Sequence, residues 1–161
     1  MIGGMPTPAL TALAAAVLHV RDLPERILEV DCGEGDGVLF LAREFPAARV
    51  RGVDTSAETI HRAISRIGLD PEGRIAFKQG RPRRLPYPDA FFDLVAQAGG
   101  RLRPGELSRV LRPGGHLIAI GRWRWLDWRL GGRRFDPIAT GEVEGERFQV
   151  FRLHAGGGAG D

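Results

Sequence analysis

One stretch of this chain leaves few choices of fold. Arg26 to Val30 reads as a short apolar strand, and it runs straight into Gly33-Glu34-Gly35-Asp36-Gly37, with glycine at every second place. Val38, Leu39, Leu41, Ala42 and Phe45 follow at the spacing of a helix face, which stops before Pro46. A strand, a glycine turn and a helix in that order make a corner suited to an anion or a nucleotide. Glycine lets the backbone approach a ligand, and the start of the helix presents N–H groups that no helical carbonyl uses. The dinucleotide fingerprint needs a small residue three places after its second glycine. Counted from Gly33 and Gly35, that place holds Val38, so a dinucleotide is not the expected ligand.

The rest of the chain continues the alternation. Thr7 to Val20 predicts a helix with Thr7 as N-cap, Pro8 at the first position, and Leu10, Leu13, Val17 and Val20 on one face. Arg49 to Val53 is a second strand, ending at Asp54. Ser56 then caps a helix in which Ile60, Ala63, Ile64 and Ile67 share a face and Gly68 closes the end. Ile75 to Lys78 and Phe92 to Gln97 are the third and fourth strands. A short helix over Gly105 to Leu111 and the turn Arg112-Pro113-Gly114-Gly115 lead to a fifth strand, His116 to Ile120. Strands and helices alternating in this way predict a parallel sheet covered on both faces.

The C-terminal part differs. Ile138 to Glu144 and Arg147 to His154 predict a hairpin joined at Glu144-Gly145-Glu146. The helix before it shrinks to a few residues around Leu126 to Leu130. The glycine-rich tail, residues 156–161, has almost nothing to bury and is expected to be disordered. Residues 1–155 then form a single α/β domain, a size that fits the 161 residues of the chain.

Composition excludes several classes. No apolar run is long enough to cross a bilayer. Arg21 and Asp22 stand where a cleavage site would follow the alanine-rich start, so a signal peptide is not expected. Cys32 is the single cysteine, which excludes an internal disulfide and a cysteine-cluster metal site. No histidine and carboxylate set has metal-ligand spacing either. A cytoplasmic location is the expectation. The net charge of +3 reflects arginine spread along the chain, with Lys78 the only lysine, rather than a selected nucleic-acid patch.

Four ordered segments resemble the class I S-adenosylmethionine-dependent methyltransferases. Ile27-Leu28-Glu29-Val30-Asp31-Cys32-Gly33-Glu34-Gly35 is similar to the family's first motif, and Arg51-Gly52-Val53-Asp54 to its second. Leu85-Pro86-Tyr87-Pro88-Asp89-Ala90-Phe91-Phe92-Asp93-Leu94-Val95 resembles the lead into the fourth strand. Leu107-Ser108-Arg109-Val110-Leu111-Arg112-Pro113-Gly114-Gly115 resembles the helix and turn before the fifth, in the ubiquinone-biosynthesis-type small-molecule branch. The resemblance implies a Rossmann-like, doubly wound, mostly parallel seven-stranded sheet ending in an antiparallel hairpin. It implies S-adenosylmethionine as cofactor, with Gly33 and Gly35 letting the backbone pack beside it. Asp54 would accept from ribose hydroxyls and Glu29 would orient the loop, while Gly80 and Arg81 fall at the adenine end. Gln97 falls at the end of the fourth strand, where ligands bind in such sheets.

Three features depart from the family pattern. Asp31 stands at the first loop glycine, where its carboxylate crowds the cofactor or attracts its ammonium group. Arg81, a donor only, stands where an acid commonly accepts from the adenine amino group. The segment after Gln97 is short, which leaves the acceptor side open or completed by another chain. Candidates near the reaction, Gln97, Arg101 and Arg122, include no obvious base, and no catalytic residue is assigned. His19, His61, His116 and His154 read as structural. Trp123, Trp125 and Trp128, interleaved with arginines, suit a covered sheet edge, a protein interface or a stacking surface.

Two functions of different class follow. One is a methyltransferase acting on a small molecule. The other is a non-catalytic relative serving as a binding or partner subunit, either to a second copy of the chain or to a larger enzyme. A third reading is a nucleic-acid-directed enzyme that uses the arginine–tryptophan segment from Arg122 to Arg129.

Overall fold

In the computed structural model, residues 7–68, 70–122 and 134–155 are described. Helix α1 (Pro8–Val17) starts where its chemistry puts it: Thr7 Oγ1 accepts from the Leu10 N–H at 3.2 Å, and Pro8 has no N–H to satisfy. It ends earlier than its apolar spacing predicts. Leu18 is exposed and Val20 only half-buried, because the chain must turn there toward the sheet. Helix α2 (Asp36–Glu44) leaves the glycine corner with Gly35 as N-cap, and α3 (Ala57–Ile67) has Ser56 accepting from the Thr59 N–H at 3.1 Å. Of the four residues expected on one face of α3, Ile60 and Ala63 are buried, Ile67 is half-buried, and Ile64 faces water. Helix α4 (Pro104–Val110) is short.

Seven strands form one sheet: β1 (Arg26–Val30), β2 (Arg49–Asp54), β3 (Ile75–Gln79), β4 (Phe92–Ala98), β5 (Leu111–Ile120), β6 (Phe135–Val143) and β7 (Glu146–Leu153). Their order is β3-β2-β1-β4-β5-β7-β6. The pairs from β3 to β5 are parallel, and β7 runs antiparallel to both β5 and β6. This is the doubly wound, mostly parallel sheet that the sequence predicts. β1 and β4 are buried on both faces, which explains their near-continuous apolar character.

Two apolar layers cover the sheet. One joins α1 and α2 to Ile27, Val50, Leu94 and Ile118. The other joins α4 to Leu28, Val95, Leu117 and Phe151. β5 begins at Leu111, ahead of the expected His116, because Phe92 pairs with Leu111 and Leu94 with His116. The intervening residues form an irregularity within the strand rather than a separate turn. β6 begins at Phe135, which is buried and meets Phe151 edge-on. At the hairpin, Glu144 and Gly145 have φ of 51° and 79°, the left-handed pair a two-residue turn needs.

Among the described residues no helix is long and apolar enough to cross a membrane. The expected helix at Leu126 to Leu130, the three tryptophans and the glycine tail lie outside the described residues.

Candidate functional site

The sheet order reverses between β1 and β4, and a crevice opens there at the carboxyl ends of the strands. The glycine corner forms its floor. Asp31, Gly33 and Gly35 have φ of 56°, 54° and 91°, three left-handed residues in five. Aspartate tolerates this conformation better than most side chains, which explains how Asp31 can stand at a glycine position. The corner is tied to β2 on two levels. The Cys32 N–H donates to the Val53 carbonyl at 3.0 Å, and the Gly33 N–H donates to Asp54 Oδ2 at 3.1 Å. The other oxygen of Asp54 accepts from the Ser56 N–H at 3.0 Å, so this carboxylate holds the loop and leads into α3.

Beneath the corner lies a buried acid. Glu29 is 7% exposed, and the first turn of α2 passes over it so closely that a Cβ on Gly37 would sit 2.2 Å from Glu29 Oε1. Burial first, then the charge of Asp36, pushes the Glu29 carboxyl up to about 8, against the Val38 backbone N–H that favours its ionised form. Its Oε2 has no hydrogen-bond partner among the described residues.

A second buried group sits nearby. Gln97, at the end of β4, is fully buried, and its Nε2 donates to Asp31 Oδ2 at 2.8 Å. The Oε1 of Gln97 is likewise unpartnered among the described residues. Burial holds the Asp31 carboxyl above its usual range, with the Gln97 amide opposing and the Asp54 charge adding to the rise. Gly100 closes this cluster. Its φ is 68°, and a Cβ there would meet Asp31 Oδ2 at 2.3 Å. Cys32 is buried, and burial together with the surrounding carboxylates pushes its thiol far above the ordinary range, so it is no nucleophile.

These groups border a cavity of about 200 Å³. Thr7 at the cap of α1 and Leu10 and Leu13 within it wall one side, Glu29, Asp31, Gly33 and Glu34 the floor, and Ala98 and Ile120 the ends of β4 and β5. The part played by α1 is not predicted by the sequence reading. Its start, not its end, faces the crevice, whereas His19 at the far end stacks on Phe148 with ring centroids 5.9 Å apart. Gly80 lies beside β2: its N–H donates to the Asp54 carbonyl at 3.0 Å, and Pro86 and Val53 leave no room for a Cβ. Arg81 is exposed, joined to Arg84 only through the backbone. His116 is buried at the opposite end of the sheet, with burial holding its imidazole below the usual range. His61 is exposed, and His154 contacts Asp136 at 2.8 Å. No metal-binding group of side chains occurs among the described residues.

A glycine corner and an acid ending the second strand at a topological switch point define a Rossmann-like domain. The model of the methyltransferase domain family matches residues 27–115, more than half of the chain. The chain belongs to the class I S-adenosylmethionine-dependent methyltransferase family. A demethylmenaquinone methyltransferase of Deinococcus radiodurans is 34% identical over 148 residues, covering 88% of this chain and 55% of that protein. A fatty-acid O-methyltransferase of Mycolicibacterium smegmatis is 37% identical over 101 residues, covering 58% and 36%. The chain thus spans about half or less of the length of these relatives. The crystal structure of a SAM-dependent methyltransferase from Aquifex aeolicus shares the fold, with a TM-score of 0.69 at 19% identity over 92% of this chain and 94% of that one.

Proposed function

We propose that this chain binds S-adenosylmethionine over the carboxyl ends of β1, β2 and β4 and directs its methyl group to a small-molecule acceptor. The reading is carried by one buried acceptor at the glycine corner, Gln97 Oε1, which has no partner among the described residues, while its amide nitrogen holds Asp31. A buried acceptor without a donor is costly, and a ligand with an ammonium group and hydroxyls supplies what it lacks. The site residues fit that group. Gly33 and Gly35 admit its backbone contacts, and Asp31 and Gln97 face a cation. Asp54 keeps lone pairs for ribose hydroxyls beyond the two N–H groups it already accepts. Glu29 orients the corner from below. Backbone groups near Gly80 read the adenine end, since Arg81 offers donors alone.

When bound, this cofactor supplies a methyl group on a positively charged sulfur, a leaving group that needs no acid. The chain's own task is then alignment, with Gln97, Arg101 and Arg122 nearest the acceptor side. Residues 1–155 act as one domain in this reading, supported by the single continuous sheet.

Calorimetric titration with S-adenosylmethionine and S-adenosylhomocysteine tests the reading. Binding near micromolar is expected, and a well-folded chain that binds neither overturns it. A second reading, a non-catalytic partner subunit, is favoured by one observation: only residues 99–103 link β4 to α4, leaving little chain to enclose an acceptor. Another chain, or a second copy, would complete that side. Cofactor binding without turnover, together with co-purification with a larger methyltransferase, would support it.

A further inference from the structure

Arg83 and Arg103 line one groove, and the charge of Arg101 acts on Arg103 beside it. Arg83 comes from the loop joining β3 to β4, and Arg101 and Arg103 come from the segment joining β4 to α4. Leu85 and Leu102, both buried in the same apolar layer, draw the two segments together. The Leu85 N–H also donates to Glu106 Oε1 at 2.8 Å. Between them runs a groove of about 500 Å³ lined by Arg83, Arg103, Pro104, Gly105 and Glu106.

No acid neutralises these cations. Among the described residues, none of the three guanidinium groups has an ion pair or a side-chain hydrogen bond, whereas Arg109 and Arg112 nearby do. Glu106 is engaged elsewhere, since Arg109 Nε donates to both of its oxygens at 3.1 Å. Burial, then the charges of Arg83 and Arg101, holds the Arg103 guanidinium below its usual range. Gathered cations that repel one another are satisfied by an anion from outside.

The chain itself ties the groove to the site, since Arg103 lies three residues after Gly100. Arg101 directly follows Gly100, the residue packed against Asp31 of the glycine corner. Gly99 and Gly100, with φ of 70° and 68°, turn the chain from the end of β4 toward it.

We propose that this groove binds an oxyanion, a carboxylate or a phosphate, carried by the methyl acceptor. The inference rests on the methyltransferase reading above. Both anions match the planar fork of arginine. Two arginines on one groove with a third close by suit one small anion, while a nucleic-acid backbone calls for contacts spread over many phosphates.

The test titrates the whole chain with sodium pyrophosphate, with octanoate and with a single-stranded oligonucleotide, each with and without S-adenosylhomocysteine. Wild type is compared with R83Q/R101Q, R103Q and the control R43Q/R49Q at the far end of the sheet. Arg83 and Arg101 are both exposed, so the double variant keeps its fold, which a thermal melt checks. The expected result is saturable binding of a small anion that R83Q/R101Q weakens by about tenfold or more and the control leaves unchanged. The tighter of the two probes tells phosphate from carboxylate. Equal binding by R83Q/R101Q and wild type, no saturable binding of either small anion, or binding confined to the oligonucleotide overturns the proposal. Failure of S-adenosylhomocysteine to bind, with the anion still bound, overturns the cofactor reading instead.

Discussion

Glu29 makes the stability of this fold depend on pH in a direction opposite to most carboxylates. In the unfolded chain its carboxyl titrates near 4.5, and in the fold near 8. Below the lower value both states hold the proton and Glu29 costs nothing. Between the two values the folded state keeps a proton that the unfolded state releases, so stability falls by about 1.4 kcal/mol for each pH unit. Above the upper value the loss is complete, at roughly 3–5 kcal/mol. Glu29→Gln keeps the shape under Gly37 and can still accept from the Val38 N–H, but it cannot ionise. Urea unfolding of both proteins from pH 5 to pH 9 isolates the effect. The variant is expected to match wild type near pH 5 and to exceed it progressively up to about pH 8, by a few kcal/mol. Parallel profiles for the two proteins across that range would refute the buried, unpartnered placement of this acid.

Three further perturbations bear on the same corner. Asp54→Ala strands the Gly33 and Ser56 N–H groups and is expected to cost about 2 kcal/mol by urea unfolding, along with affinity for S-adenosylhomocysteine. Unchanged stability would mean the loop does not depend on that carboxylate. Gly100→Ala combines an unfavourable φ with contact against Asp31 Oδ2, for a loss of about 2 kcal/mol or more. Adding Asp31→Gly should relieve the contact but not the backbone cost, giving a coupling of about 1 kcal/mol in a double-mutant cycle, and strict additivity would contradict it. Arg109→Met removes the donor that joins Glu106, Asp89 and the carbonyls of Leu85 and Tyr87, and a loss of about 2–3 kcal/mol is expected in thermal unfolding. A change below about 0.5 kcal/mol would show that the loop is held without it.

Much of the architecture was legible because the signals are local. The glycine corner after β1, the cap at Ser56, the acid at the end of β2 and the hairpin at Glu144-Gly145 each depend on chemistry within a few residues. A turn that needs positive φ asks for glycine in any context, and an N-cap needs only its own first turn. Boundaries were less legible where neighbours decide them. The start of β5 at Leu111 depends on its pairing with Phe92, and the early end of α1 depends on where the chain meets the sheet.

The chain's sequence by itself determined the alternation of elements, the crossover type and the backbone corner on which a ligand can lie. Only the tertiary structure decided what surrounds that corner. It placed Gln97 against Asp31 across 66 positions of sequence. It sealed Glu29 under Gly37, set the start of α1 over the cavity and brought Arg83 and Arg103 from two loops onto one groove. The physical reason is the range of the forces involved. Torsional preference and hydrogen bonding within a turn act on adjacent residues, while desolvation and charge repulsion depend on which distant segments packing brings together.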